Sequence, residues 1–164
     1  MPVEAQDFKN ALATFPSGVT VITMDSEEGP HAMTASAFCS LSLDPPLVLV
    51  CVKNGNRTYE KLKTLPGFAV NILAEDQADF SNRFAGYGPN AEAPFDGLDL
   101  HKCEASGAPG LPGCLATLDC TLYGTRDGGD HTIFIGQVEN TRLHEEKSRP
   151  LLYARSYFGL GEKF

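Results

Sequence analysis

Residues 114–140, CLATLDCTLYGTR followed by DGGD and HTIFIGQVEN, decide the fold. Residues 114–126 show the mixed alternation of a long strand, Asp127-Gly128-Gly129-Asp130 supplies a tight turn of the Asp-Gly kind, and residues 131–140 return as the partner strand. Working outward, Val19-Thr20-Val21-Ile22-Thr23-Met24 is β-branched and apolar, and residues 25–30 form a hairpin loop. Ser40-Leu41-Ser42-Leu43 alternates as a half-buried strand, Asp44-Pro45-Pro46 interrupts it, and residues 47–52 are a continuous apolar run suited to a strand buried on both faces. Residues 68–73 are a further strand, and residues 98–103 a short one. Six or seven strands joined mostly by hairpins predict a mainly β fold, an antiparallel barrel rather than a βαβ sheet.

Helices are few and peripheral. Asp7 is placed to cap residues 8–15, whose Phe8, Ala11, Leu12 and Phe15 share one face before Pro16 stops the helix. Residues 74–84 carry charges on one side and Phe80 and Phe84 on the other, and a long irregular section from residue 85 to about 95 has the length of a lid or binding loop. The apolar, aromatic tail at residues 150–153 and 157–158 packs on the body or on a neighbour.

Composition narrows the function. A chain of 164 residues suits one domain, residues 1–164, and 42% hydrophobic with 21% charged residues is ordinary for a globular protein. No apolar run approaches the roughly 20 residues needed to span a bilayer, and no basic leader opens the chain, so a cytoplasmic location and no membrane partner are expected. A net charge of −8 opposes nucleic-acid binding. The five cysteines form no C-x-x-C pair, and Cys39, Cys51 and Cys120 sit in apolar runs as small buried hydrophobes. His31, His101, His131 and His144 lack metal-ligand spacing, so no metal is expected; P-loop, Rossmann, zincin and nucleophile-elbow motifs are absent as well.

The functional stretch is residues 31–52, HAMTASAFCSLSLDPPLVLVCV. Its Met33-Thr34-Ala35-Ser36-Ala37-Phe38 segment has side chains short enough for a ligand to reach the backbone, with hydroxyls beside it, the chemistry of a site for a polar heteroaromatic. After the strand, Lys53-Asn54-Gly55-Asn56-Arg57-Thr58 leads into a short helix, which reads either as a phosphate cradle or as an ordinary capped surface helix. His131 follows a turn beside Asp130 and reads either as a ligand contact or as an exposed hairpin histidine.

Five ordered segments carry a resemblance: Phe15-Pro16-Ser17-Gly18-Val19-Thr20-Val21, Met33 through Phe38, Ser40 through Leu47, Gly129-Asp130-His131 through Gly136-Gln137-Val138, and Pro150-Leu151-Leu152-Tyr153. Together they resemble the short-chain flavin reductases, reductase components of two-component flavin monooxygenases. The resemblance implies a homodimeric split β-barrel that binds FMN, or FAD in some members, and uses NADH or NADPH as co-substrate. It implies that Thr34, Ala35, Ser36, Ala37 and Ser40 lie along the flavin, and that Cys51, Val52, Lys53, Asn56, Arg57 and Thr58 hold its phosphate. Many relatives have Ser where Asn56 stands. Phe84, Ala85 and Gly86 would sit beside the ring, Tyr157 would close the site, and His131 would orient the nicotinamide as the catalytic group. Reduced flavin would pass to a partner oxygenase. The alternative is a flavoprotein that keeps FMN and passes electrons to a protein, metal or corrinoid acceptor.

Overall fold

The computed structural model describes residues 3–144 and 149–161. In chain order the elements are α1 (Ala5–Leu12), β1 (Ser17–Gly18), β2 (Thr20–Ser26), β3 (Gly29–Ala35), β4 (Phe38–Leu43), β5 (Pro46–Lys53), α2 (Arg57–Leu62), β6 (Gly67–Ile72) and α3 (Ala78–Phe84). There follow β7 (His101–Lys102), β8 (Pro109–Gly110), β9 (Ala116–Gly128), β10 (His131–Leu143), β11 (Leu152–Tyr153) and β12 (Tyr157–Phe158). Seven strands form one antiparallel sheet in the order β3-β2-β6-β9-β10-β5-β4. The two edge strands, β3 and β4, are neighbours in sequence, separated only by Ser36 and Ala37. Six spacings of about 4.8 Å would put the edges of a flat sheet about 29 Å apart, whereas three Cα steps reach at most about 11 Å. The sheet must therefore roll until its edges approach, which is the split barrel expected from the sequence.

Inside lie the buried side chains of Ile22, Met24, Val50, Val52, Phe68 and Phe134. The β9–β10 hairpin supplies one wall, with His131 opposite Gly128, so the turn is tighter than the four residues read from the sequence. Gly136 allows close packing there: a Cβ would stand 2.7 Å from the Phe68 ring and 2.9 Å from Cys120 Cβ. A second cluster, around Val21, Leu73, Phe84, Leu111 and Leu151, is closed by the tail. Here β11 pairs with β1 and β12, and Tyr157 packs against the cluster.

Several local expectations change. Glu4, not Asp7, stands at the cap position of α1, without a side-chain cap bond, and no residue of α1 is buried; its apolar face meets solvent. Leu41 and Leu43 of β4 are exposed because β4 is an edge strand and a register shift between Ser40 and Ser42 breaks its two-residue period. Cys39 on the same strand is exposed and Cys51 half-buried, while Cys103, Cys114 and Cys120 are buried; all five are free. Burial pushes the Cys114 and Cys120 thiols up to about 12. Helix α3 begins at Ala78, not residue 74, because Ala74 bridges Pro150 and its N–H bonds the Gln77 side chain. The strand read at residues 98–103 shortens to β7.

Asn71, fully buried on β6, ties the two clusters together. Its Nδ2 donates to Val21 O and Thr23 Oγ1, both at 3.1 Å, and its Oδ1 accepts from Leu111 N at 2.9 Å and Thr117 Oγ1 at 3.2 Å. Leucine is close in volume but strands these partners, each unsatisfied buried group costing about 1–3 kcal/mol. Asn71→Leu is therefore expected to lower the urea midpoint by the equivalent of about 3 kcal/mol with little change in m; an unchanged midpoint would refute the role assigned to this network.

Candidate functional site

The end of β3, the start of α2, the end of α3 and the loop after it enclose a groove of about 700 Å³. One wall is His31 to Thr34, the floor at one end is Asn56, Arg57 and Thr58, and the opposite wall is Arg83 to Tyr87 with Phe95. A second cavity of about 450 Å³ shares Thr34, Ala85 and Tyr87 with it and continues to Ser36, Arg155 and Tyr157. The two form one trough, with Arg57 at one end, Phe84, Phe95 and Tyr87 beside Arg83 in the middle, and hydroxyls together with Arg155 at the Tyr157 end. Their volumes lie within the range of small-molecule and cofactor sites.

The cationic end depends on local capping. Asn56 Oδ1 accepts the Tyr59 N–H at 2.7 Å and starts α2, leaving the Arg57 side chain free to project, 71% exposed. Since α2 has only six residues, its dipole is small, and the attraction for an anion comes from the side-chain cations. Arg57 lies 3.7 Å from Glu28 and the Lys61 ammonium 2.9 Å from the same carboxylate, and these cations hold Glu28 below the usual carboxylate range. Thr58 is buried, and its hydroxyl lies 2.9 Å from His31 Nε2. Burial first, then Arg57 and Lys61, push the His31 imidazole down to about 4, so it is neutral at pH 7.

The other end is a hydrogen-bonded frame. Thr34 donates its hydroxyl to the Ser81 carbonyl at 2.6 Å, so toward a ligand it offers only a lone pair. Tyr157 Oη lies 2.9 Å from both Ser81 Oγ and Asn82 Oδ1, pinning the tail to α3. Arg83 Nη2 donates to Ala93 O at 3.2 Å and Asp96 O at 2.6 Å, holding the long loop over the groove. Its Nε is buried and has no hydrogen-bond partner among the described residues. Gly86 adopts φ +86°, and nothing lies within 4 Å of where its Cβ would be, so the backbone there is open to a ligand. A flat heteroaromatic with a phosphorylated arm fits this distribution of groups.

Of the residues singled out from the sequence, Thr34, Asn56, Arg57, Thr58, Phe84, Ala85 and Gly86 line the groove, and Ser36 and Tyr157 the adjoining cavity. Ala35 and Val52 are buried. Ala37, Ser40 and Lys53 are exposed and Cys51 half-buried, and none of the four lines the trough. His131, 41% exposed, pairs with Lys53 at the end of β10 and bonds Asp130 at 2.7 Å; it does not line the trough either. Sequence reasoning missed Ser81, Asn82 and Arg83; His31 fell within the functional stretch, and Tyr87 and Phe95 within the section read as a lid or binding loop, without a role assigned to any of the three. The buried polar bond from His31 to Thr58 spans 27 residues, and no local pattern announces it.

Among the described residues no group of three or more His, Cys, Asp or Glu side chains could hold a metal ion, and no helix is long and apolar enough to cross a membrane.

Residues 12–161 match the family described as the flavin reductase like domain. The reductase component of 4-hydroxyphenylacetate 3-monooxygenase from Thermus thermophilus is 39% identical over 92% of this chain and 93% of its own length. An NADH-dependent FMN reductase of Agrobacterium fabrum is 37% identical over 94% of this chain and 85% of its own. The solved structure of an NADH:FAD oxidoreductase from Streptomyces globisporus superposes with a TM-score of 0.89 at 34% identity, covering 100% of this chain and 99% of that one. The trough therefore lies in a chain that belongs to the flavin reductase like domain family.

Proposed function

We propose that this chain, as one domain, is a cytoplasmic NAD(P)H-dependent flavin reductase that hands reduced FMN or FAD to a partner monooxygenase. The observation that carries the reading is the trough itself, with Arg57 at one end, aromatic walls and exposed backbone in the middle, and a hydroxyl frame with Arg155 at the other. Bound flavin supplies a ring that accepts hydride from nicotinamide, chemistry that belongs to the cofactors and asks the protein mainly for positioning. Arg57, the cation that lines that end of the trough, attracts the phosphate. Neutral His31 adds no positive charge and holds Thr58 in place. Phe84 and Phe95, 5.2 Å apart, give an apolar wall, and the Arg83 bonds to the loop limit water. Ser36 and the backbone beside it offer polar groups to the edge of the ring. An exposed phosphate end suits a flavin that exchanges, which favours the reductase over a flavoprotein with tightly held FMN.

We also propose a homodimer. Alternation places Ile133 and Ile135 of β10 opposite Cys51 and Leu49 of β5 on the outward face, away from buried Phe134, Val50 and Val52. His131 and Lys53 share that face, so a second copy docked there meets the histidine, and the nicotinamide is held where this interface and the flavin come together.

Purified chain mixed with NADH or NADPH and FMN or FAD should oxidise the nicotinamide at a rate that saturates with flavin. No oxidation with either nucleotide would overturn the proposal, and flavin that survives gel filtration would favour the tightly held cofactor. His131→Ala should raise the nicotinamide KM more than the flavin KM, and an unmoved nicotinamide KM would remove His131 from the site. The wild type should sediment as a dimer and Ile135→Glu as a monomer; a monomeric wild type would refute the interface.

A further inference from the structure

Resting on the flavin reading, we infer that Glu28, in the turn between β2 and β3, is an affinity-setting residue that competes with the flavin phosphate for Arg57. Its carboxylate accepts from Lys61 Nζ at 2.9 Å and lies 3.7 Å from Arg57 Nη2. Lys61 is anchored from the other side by Ser26 Oγ at 2.8 Å, and its side chain is only 11% exposed. The lysine therefore fixes Glu28 in front of Arg57. Arg57 lines both the trough and a neighbouring cavity of about 700 Å³ that contains Glu28 and Lys61, so the guanidinium stands on the border between them and the carboxylate meets it from the far side.

An incoming phosphate meets two effects of this placement. Glu28 already neutralises part of the charge that would attract it, and the fixed carboxylate repels it. Arg57 and Glu28 are 71% and 73% exposed, so solvent screens the competition and its size is modest. The direction is unambiguous: Glu28 weakens the binding of phosphorylated flavin and leaves its ring untouched. A reductase whose product must leave for another enzyme is served by a phosphate site held below its full strength.

The test measures dissociation constants for FMN and for riboflavin, which lacks the phosphate, by quenching of flavin fluorescence. Glu28→Gln keeps the shape and removes the charge. It should lower the FMN Kd by about 1.5-fold to fivefold, the range an exposed charge pair commands, while the riboflavin Kd stays in place. The gain should shrink in high salt, where screening shortens the reach of the charge. Glu27→Gln changes the net charge equally without touching the Arg57 pair and should move FMN less than Glu28→Gln does. An unmoved FMN Kd, an equal shift for riboflavin, or an equal effect of Glu27→Gln overturns the role of Glu28. Wild-type protein that binds none of FMN, FAD and riboflavin overturns the flavin reading itself, and this inference with it.

Discussion

The two-residue link between the sheet's edges governs the rest of this molecule. Ser36 and Ala37 join β3 to β4, the outermost strands of a seven-stranded sheet, and a chain that short leaves no flat solution. Rolling the sheet puts Phe68, Phe134, Ile22 and their neighbours inside and makes tight spots, such as Gly136 against Phe68, part of the wall. It also leaves a seam, because β3 and β4 are not hydrogen-bonded neighbours. Backbone groups at such edges are available to another partner. The place where the barrel fails to zip is therefore where backbone stands open to a ligand, and Ser36 and Ala37 lie there, both exposed, although the Ala37 carbonyl already accepts from the Cys51 N–H at 3.0 Å.

Along the trough the forces differ in kind. Apolar walls are worth roughly 25 cal/mol for each Å² removed from water, whereas exposed charge pairs contribute at most about 1 kcal/mol. In the proposed complex Phe84, only 6% exposed, would add little new burial, so contact with a flat ring would fall to half-buried Phe95 and the open backbone beside it, and the Arg57 end would fix which way round the ligand lies. Neutral His31 agrees with this division. A third cation beside Arg57 and Lys61 would strengthen the anion site, and burial with those same neighbours removes it. Moderate charge at one end and a broad contact in the middle suit a ligand that must dock in one orientation and still depart.

Strand content was legible because it rests on local patterns. The β9–β10 hairpin, the β2 run and the β5 run follow from β-branched residues and an Asp-Gly turn. The barrel was legible only as a class, since strand order depends on pairings between distant residues. Site residues divide the same way. Thr34, Arg57 and Phe84 sit in motifs and were found, whereas Arg83 and Tyr87 take their importance from where a loop falls. The failures are physical as well: Leu41 and Leu43 alternate convincingly, and yet an edge strand with a bulge turns them to solvent.

The alternation of β5 sharpens what the resemblance can mean residue by residue. Val52 is fully buried, so its side chain belongs to the core, and any contact with a ligand is made by its backbone. Cys51 and Lys53 flank it on the opposite face, in register with Ile133 and His131. One strand thus serves the core with every second residue and an outward apolar surface with the others. In a single chain that surface carries Ile133, Ile135 and Leu49 half-covered, next to a histidine whose ring bonds its exposed neighbour Asp130. A second copy laid there would cover the apolar side chains and bring His131 against another subunit. In the proposed dimer, association and completion of the nicotinamide side of the site would be one event, because both would depend on the same face of β10.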